Sequence, residues 1–99
     1  MDKKNLEKDI IKIFRKWVKL PHYRIFFFGS RVNGDAQDRS DIDIGIEAPG
    51  QVPLHVLNEI KSELEELPVL QKFDVVDFNN TSEGFRKVAL QKIEVIYEQ

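Results

Sequence analysis

The sequence predicts one α/β (α+β) domain, a small mixed sheet of three to four strands with helices packed mainly on one face. Three observations carry this prediction. The chain has 99 residues, which suffice for one hydrophobic core and are too few for two. Helical and strand patterns alternate in the order αβ(α)βαβαβ. No repeat, low-complexity tract or linker interrupts that order, so residues 1–99 are expected to form a single domain.

The chain begins with a predicted helix followed by a buried strand. Apolar residues recur at helical spacing from Asp2 to Lys19, and Pro21 ends this pattern. Residues 23–28 read YRIFFF, a nearly continuous apolar run that predicts a strand covered on both faces. We expect its phenylalanines and Trp17 to be core residues rather than a base-stacking platform.

A polar segment and a second strand follow Gly29. Residues 30–39 are polar and can form at most a short helix. Residues 41–46 read DIDIGI, and this alternation predicts a strand with one polar and one apolar face. Asp41 and Asp43 therefore share a face.

The second half of the chain continues the alternation of helices and strands. Asn80 and Glu83 resemble a capping box at the start of a short helix. The predicted elements are a helix from Leu54 to Leu67 ending at Pro68, a strand from Val69 to Phe78, a short helix through Gln91 and a strand over residues 93–97.

Composition narrows the class of protein. With 41% hydrophobic and 32% charged residues the chain is neither disordered nor collagen-like, and no apolar stretch approaches the ~20 residues of a membrane span. Zero cysteines exclude a disulfide framework, a thiolate zinc site and a cysteine nucleophile. The beginning of the chain lacks the apolar stretch of a signal peptide, so a cytoplasmic location is expected.

The charge is unevenly distributed. Residues 1–24 carry eight basic and three acidic side chains, a net +5, although the whole chain sums to -2. A basic helix can meet an acidic partner or simply be the solvated face of an amphipathic helix. The overall acidity argues against direct nucleic-acid binding.

The end of the first strand carries a candidate phosphate site. Gly29 lacks a Cβ and lets the backbone approach a ligand, and Ser30 then opens a turn whose free N–H groups favour an anion. Arg31 can neutralise phosphate charge or pair with Asp35 or Asp38. Taken alone, Gly-Ser-Arg is also compatible with an ordinary turn that has a serine N-cap.

Carboxylates supply a candidate metal site. Asp41 and Asp43 lie about 6.6 Å apart along one strand face, and hard oxygen ligands suit Mg²⁺. Two such ions hold the attacking and leaving oxygens of a phosphoryl displacement. In the third strand Asp74 and Asp77 point to opposite faces, so only one can join; Asp74 is our choice and Asp77 is assigned a structural role. A lone DIDI is also compatible with an ordinary half-exposed strand.

The segment from Phe28 to Ile44 resembles the DNA polymerase β-like nucleotidyltransferase superfamily. The signature of that superfamily is an apolar residue, Gly-Ser, a gap of about ten residues and Asp-x-Asp between apolar residues. Here the signature reads Phe28-Gly29-Ser30, ten residues, and Asp41-Ile42-Asp43-Ile44. The fuller stretch GSRVNGDAQDRSDIDIGI is similar to the minimal nucleotidyltransferases of prokaryotes.

This resemblance implies a mechanism. The β and γ phosphates of ATP or another nucleoside triphosphate would lie on the Gly29-Ser30 turn. Two Mg²⁺ ions would be held by Asp41, Asp43 and Asp74, and Asp74 would orient or deprotonate an acceptor hydroxyl. The product is a nucleotidyl group on that hydroxyl, with release of pyrophosphate.

The resemblance also implies a partner and leaves alternatives open. Many minimal members act as antitoxins of a helical HEPN ribonuclease, which they modify on tyrosine, so AMP transfer to such a partner is the first hypothesis. The second is a binding module of weak catalysis that masks the partner. The third is a nucleotidyltransferase subunit acting on a small molecule or RNA. The sequence names neither the base nor the acceptor.

Overall fold

The structure is a computed structural model that describes residues 3–29 and 41–99. The described residues form three α-helices, four strands and one turn of 3-10 helix. Asp2 and the predicted polar segment 30–39 lie outside them. In chain order the elements are α1 (Lys3–Trp17), β1 (Arg24–Phe28), β2 (Ile42–Glu47), α2 (Leu54–Glu65), β3 (Phe73–Asp77), the 3-10 turn (Phe78–Asn80), α3 (Glu83–Ala89) and β4 (Glu94–Glu98).

The four strands form one mixed sheet in the order β3-β2-β1-β4. β1 runs antiparallel to both β2 and β4, whereas β2 and β3 are parallel and are joined through α2. A parallel pair needs such a crossover, because a tight turn can only reverse the chain. The predicted small mixed sheet is confirmed.

The two faces of the sheet are covered differently. α1 and α2 pack on one face, where Ile25, Ile44 and Val75 project from neighbouring strands into a common core. On the other face a smaller cluster consists of Phe26, Phe28 and Phe78, flanked by residues around α3. Helices therefore pack mainly on one face, and β1 is covered on both faces, as its continuous apolar run predicts.

Two predicted element starts were wrong, and each predicted helix extends two residues beyond the observed helix end. β3 begins at Phe73 instead of Val69, because its ladder starts opposite Ile42, the first residue of β2, and Leu70 is 82% exposed. The helix cap is Ser82, whose hydroxyl accepts the Phe85 N–H at 3.1 Å, and not Asn80.

Asn80 belongs instead to the 3-10 turn, which the Asp77 side chain stabilises by accepting the Asn79 N–H at 3.0 Å. That turn delays the start of α3 to Glu83.

The aromatic residues assigned to the core are buried or partly buried. Phe26, Phe27 and Phe28 are each less than a tenth exposed. Trp17 is half-buried, and its indole N–H donates to Glu63, which ties α1 to α2. In the described ranges no helix is both long enough and apolar enough to span a bilayer.

Candidate active site

Three strands bring predicted site residues to one end of the sheet. Phe28 of β1 lies opposite Asp43 of β2, and Asp43 lies beside Asp74 of β3. Paired residues of neighbouring strands project to the same face. Asp43 and Asp74 therefore share the face opposite α1 and α2, next to Gly29, which follows β1 directly.

The carboxylates crowd one another. Asp43 is half-buried, whereas Asp74 and Asp41, the residue before β2, are exposed. Burial raises the pKa of Asp43, and the negative charges of Asp74 and Asp41 raise that pKa further. A bound cation would relieve this repulsion, so the three aspartates have the electrostatics of a cation site.

Both the backbone conformation of Gly29 and the carboxylate beside it require a residue without a side chain. Its φ of +78° lies in the left-handed region that favours glycine. A Cβ at this position would overlap Oδ2 of Asp43 and lie 3.2 Å from its Cγ. Besides the ligand approach expected from the sequence, the missing side chain thus makes room for Asp43.

Asp77 and Asp74 have different surroundings. Asp77 is 6% exposed and accepts two backbone N–H groups, from Val52 at 2.8 Å and from Asn79 at 3.0 Å. These bonds hold the loop before α2 against the end of β3. The Asp77 carboxylate has its partners within the fold, while Asp74 remains exposed beside Asp43.

Sequence reasoning missed the supporting role of Gly45. The alternation in DIDIGI predicts a polar face, but Gly45 lies on the face of Asp43 and is covered by aromatic rings. A Cβ here would come within 2.6 Å of Phe26 Cζ and 2.7 Å of Phe78 Cε1. The signal was a glycine inside a strand pattern, which often marks a close approach of neighbouring groups.

The donor set fits Mg²⁺ only in part. Across residues 3–29 and 41–99, no three His, Cys, Asp or Glu side chains converge closely enough to hold a metal ion. Mg²⁺ in nucleotide sites is bound by one or two carboxylates together with waters and substrate phosphates. Asp43 and its acidic neighbours match that requirement once a triphosphate supplies the remaining oxygens.

Comparison with known families decides the assignment. The family model described as "Polymerase beta, Nucleotidyltransferase" matches residues 8–99. The chain belongs to this family. The match includes Gly29, Asp41, Asp43 and Asp74, so the residues gathered at this end of the sheet lie inside the family domain.

Relatives of this nucleotidyltransferase include a curated protein and solved complexes. The "Probable protein adenylyltransferase MntA" of Haemophilus influenzae is 29% identical over 99 residues, covering all of this chain and 85% of the relative. A crystal structure of a toxin-antitoxin with AMP-PNP matches with a TM-score of 0.78 and 24% identity, over 94% of this chain and 73% of that one.

A second solved complex has the same fold. It is the tri-AMPylated Shewanella oneidensis HEPN toxin with MNT antitoxin, which matches with a TM-score of 0.74 and 21% identity, over 97% of this chain and 72% of that one. At these identities the likeness shows the polymerase beta nucleotidyltransferase fold.

Two predicted site residues fall outside the structural description of this nucleotidyltransferase. Ser30 and Arg31 lie in residues 30–40, so the phosphate contacts expected of them remain predictions. The described part of the predicted site is Gly29 with Asp41, Asp43 and Asp74.

Proposed function

We propose that this nucleotidyltransferase moves AMP from ATP to a hydroxyl of a partner protein in the cytoplasm, and that the partner is a HEPN-type toxin. The observation that carries this proposal is the clustering of Asp43, Asp74 and Asp41 beside Gly29. Like charges are brought together there at a cost that binding of a cation would offset, and such a cation would in turn attract the phosphates of a nucleotide.

In the proposed binding mode, the ends of β1, β2 and β3 each contribute residues that contact the nucleotide or its metal ions. The β and γ phosphates lie against Gly29, with Ser30 expected to contribute the phosphate contacts that the sequence predicts. Asp41 and Asp43 would hold Mg²⁺, and Asp74 would complete a second such site. When bound, Mg²⁺ neutralises phosphate charge and polarises the phosphoryl oxygens.

The proposed reaction is an in-line displacement at the α-phosphorus. Asp74, exposed beside Asp43, orients the acceptor hydroxyl and accepts its proton. The hydroxyl oxygen forms a bond to the α-phosphorus as the bond from that phosphorus to the bridging oxygen of the β-phosphate breaks. Pyrophosphate leaves, and one AMP group remains on the acceptor.

The relatives support a protein acceptor. The curated relative is named a probable protein adenylyltransferase, and one solved complex contains an AMPylated HEPN toxin with its MNT antitoxin. An acceptor bound as a folded partner would also supply the surface that aligns its hydroxyl, which accounts for much of the acceleration in such transfers.

A basic surface on α1 is our candidate docking site for the partner. Lys8, Lys12, Arg15 and Lys16 line a groove of about 440 Å³ around Ile11. Part of this charge serves the fold, since Lys16 pairs with Glu63 at 3.2 Å and the Arg15 guanidinium lies 5.7 Å from the Tyr97 ring centre. Lys8 and Lys12 are exposed and face outward. Such a surface suits an acidic partner.

This surface also favours the second candidate function. A chain that docks through α1 without transferring AMP would be a binding module. The two functions predict different masses for the partner. An enzyme adds about 329 Da to the partner for each AMP transferred, since displacement leaves one nucleotidyl group on the acceptor. The module leaves the partner mass unchanged.

Co-expression with the protein encoded by the neighbouring gene, as the candidate partner, tests the proposal. We expect intact-mass spectrometry to show added AMP with the parent chain and with Glu59→Gln, a control that neutralises an exposed acid on α2. Asp43→Asn should form the complex without added mass. A stable complex with an unmodified partner in every sample would contradict the enzyme and support the binding module.

A further inference from the structure

A pocket adjoins Gly29 on the face of the sheet that carries Asp43. Its volume is about 330 Å³, and its lining is mainly apolar. Phe28 and Gly29 contribute from the end of β1, Phe85 and Val88 from α3, and Gln91 and Lys92 from the loop that follows α3. Pockets of this size and composition, with few polar groups at the rim, are typical of small-molecule sites.

Phe85 is held in place yet partly open to solvent. Its ring lies 6.2 Å from the Phe28 ring, at an interplanar angle of 89°, and 5.7 Å from the Phe78 ring. Nevertheless 43% of Phe85 is exposed, and Val88 on the same helix is 69% exposed. These two residues give α3 an exposed apolar surface beside the pocket.

The pocket shares Gly29 with the candidate active site. Gly29 lines the pocket and also lies against the Asp43 carboxylate. Phe28, which also lines the pocket, is the strand partner of Asp43 on the same face. A nucleotide whose α-phosphate lies at Asp43 places its base one ribose away, and the Phe28 and Phe85 pocket offers an apolar surface that shares Gly29 with that site.

We propose that this pocket binds the nucleobase of the triphosphate, with the base stacked on Phe85. The inference rests on the proposed function, because it requires the phosphates to lie at Gly29 and Asp43. Aromatic side chains stack on any base, since every base has a π face. Gln91 and Lys92 at the rim can donate hydrogen bonds to the base edge or the ribose.

The proposal predicts a selective loss of affinity for nucleotides. Phe85→Ala should weaken binding of ATP by roughly tenfold or more, the usual effect of removing a stacking ring. Binding of inorganic tripolyphosphate should be unchanged, because that ligand has phosphates and no base. Val95→Ala is the matched control: Val95 is an apolar side chain, 42% exposed, on β4 and outside the pocket lining.

Calorimetric titration of the full chain with ATP and with tripolyphosphate, each with Mg²⁺, is the test. Phe85→Leu is titrated alongside, because leucine keeps an apolar side chain in the pocket lining but has no ring on which a base can stack. This variant should bind ATP more weakly than the parent and bind tripolyphosphate as tightly as the parent.

The possible results separate the base site from the phosphate site. Parent-like ATP affinity in Phe85→Ala, or equal losses for both ligands in both Phe85 variants, overturns the base site. Equal affinity of the parent for ATP and tripolyphosphate also overturns it, while leaving the phosphate site intact. A parent chain that binds neither ligand refutes the phosphate site together with the base site.

Discussion

Substituting Gly29 with alanine should disturb the fold and the site through two separable effects. The first is the backbone: a residue with a Cβ at φ +78° is strained by about 1–2 kcal/mol. The second is the overlap of the new Cβ with Asp43, whose carboxylate must move aside. Turning that short, half-buried side chain aside costs about 0.5–1.5 kcal/mol, so with the backbone strain Gly29→Ala should destabilise the chain by about 1.5–3.5 kcal/mol.

A double-mutant cycle separates the two effects. Asp43→Ala removes Oδ2 and Cγ, so Gly29→Ala introduced into that variant should cost only the backbone strain of about 1–2 kcal/mol. Gly50→Ala is the control, because nothing lies within 4 Å of a Cβ at Gly50. This control should change stability by no more than about 0.5 kcal/mol.

Urea unfolding of the parent, the two single variants, the double variant and the Gly50→Ala control gives their free energies of unfolding. Gly29→Ala should also lower AMP transfer, because it displaces the Asp43 carboxylate. A Gly29→Ala chain as stable as Gly50→Ala would refute the strain. An equal cost with and without the Asp43 side chain would refute the steric coupling between the two residues.

Three further predictions concern the carboxylates, the aromatic face and α1. The folded pKa of Asp43 is raised, so the folded chain binds more protons than the unfolded chain just above the usual aspartate pKa, and stability falls as pH rises through the raised pKa. Asp43→Asn should therefore stabilise the metal-free chain at neutral pH and lose this advantage in acid; thermal unfolding across pH checks this, and a gain independent of pH would contradict it. Gly45→Ala should cost about 1–3 kcal/mol in urea unfolding because its Cβ meets two aromatic rings, and a neutral result would show that those rings can move apart. Lys8→Glu with Lys12→Glu should weaken association with the partner in surface plasmon resonance at low salt, whereas Lys87→Glu on α3 should not; equal effects would remove α1 as the docking surface.

Much of the fold could be predicted because local patterns and tertiary packing agree. The apolar run before Gly29 indicates a strand covered on both faces, and the structure buries Phe26 and Phe28 on one face and Ile25 and Phe27 on the other. The spacing of Asp41 and Asp43, with Asp74 in a later strand, indicated a shared carboxylate cluster, and the register of β2 and β3 places Asp43 beside Asp74.

Features set by partners distant in sequence could not be predicted. Residues 69–72 favour a strand locally, but β3 begins only where β2 offers a partner at Ile42. The 3-10 turn before α3 is held by contacts with the loop before α2: Asp77 accepts the Val52 N–H, and the Asn79 side-chain amide donates to the carbonyls of Ala48 and Gly50. The surroundings of Gly45 depend likewise on the position of Phe78 after β3.

Transfer of labelled phosphate to the purified partner is the most direct test of nucleotidyl transfer. With Mg²⁺ and the parent chain, label on the α-phosphate of ATP should appear on the partner, and label on the γ-phosphate should not, because displacement at the α-phosphorus releases pyrophosphate. Asp43→Asn should abolish the α-label signal, and Glu59→Gln should retain it. Transfer of the γ-label, or undiminished α-label transfer by Asp43→Asn, would contradict the proposed chemistry at this site.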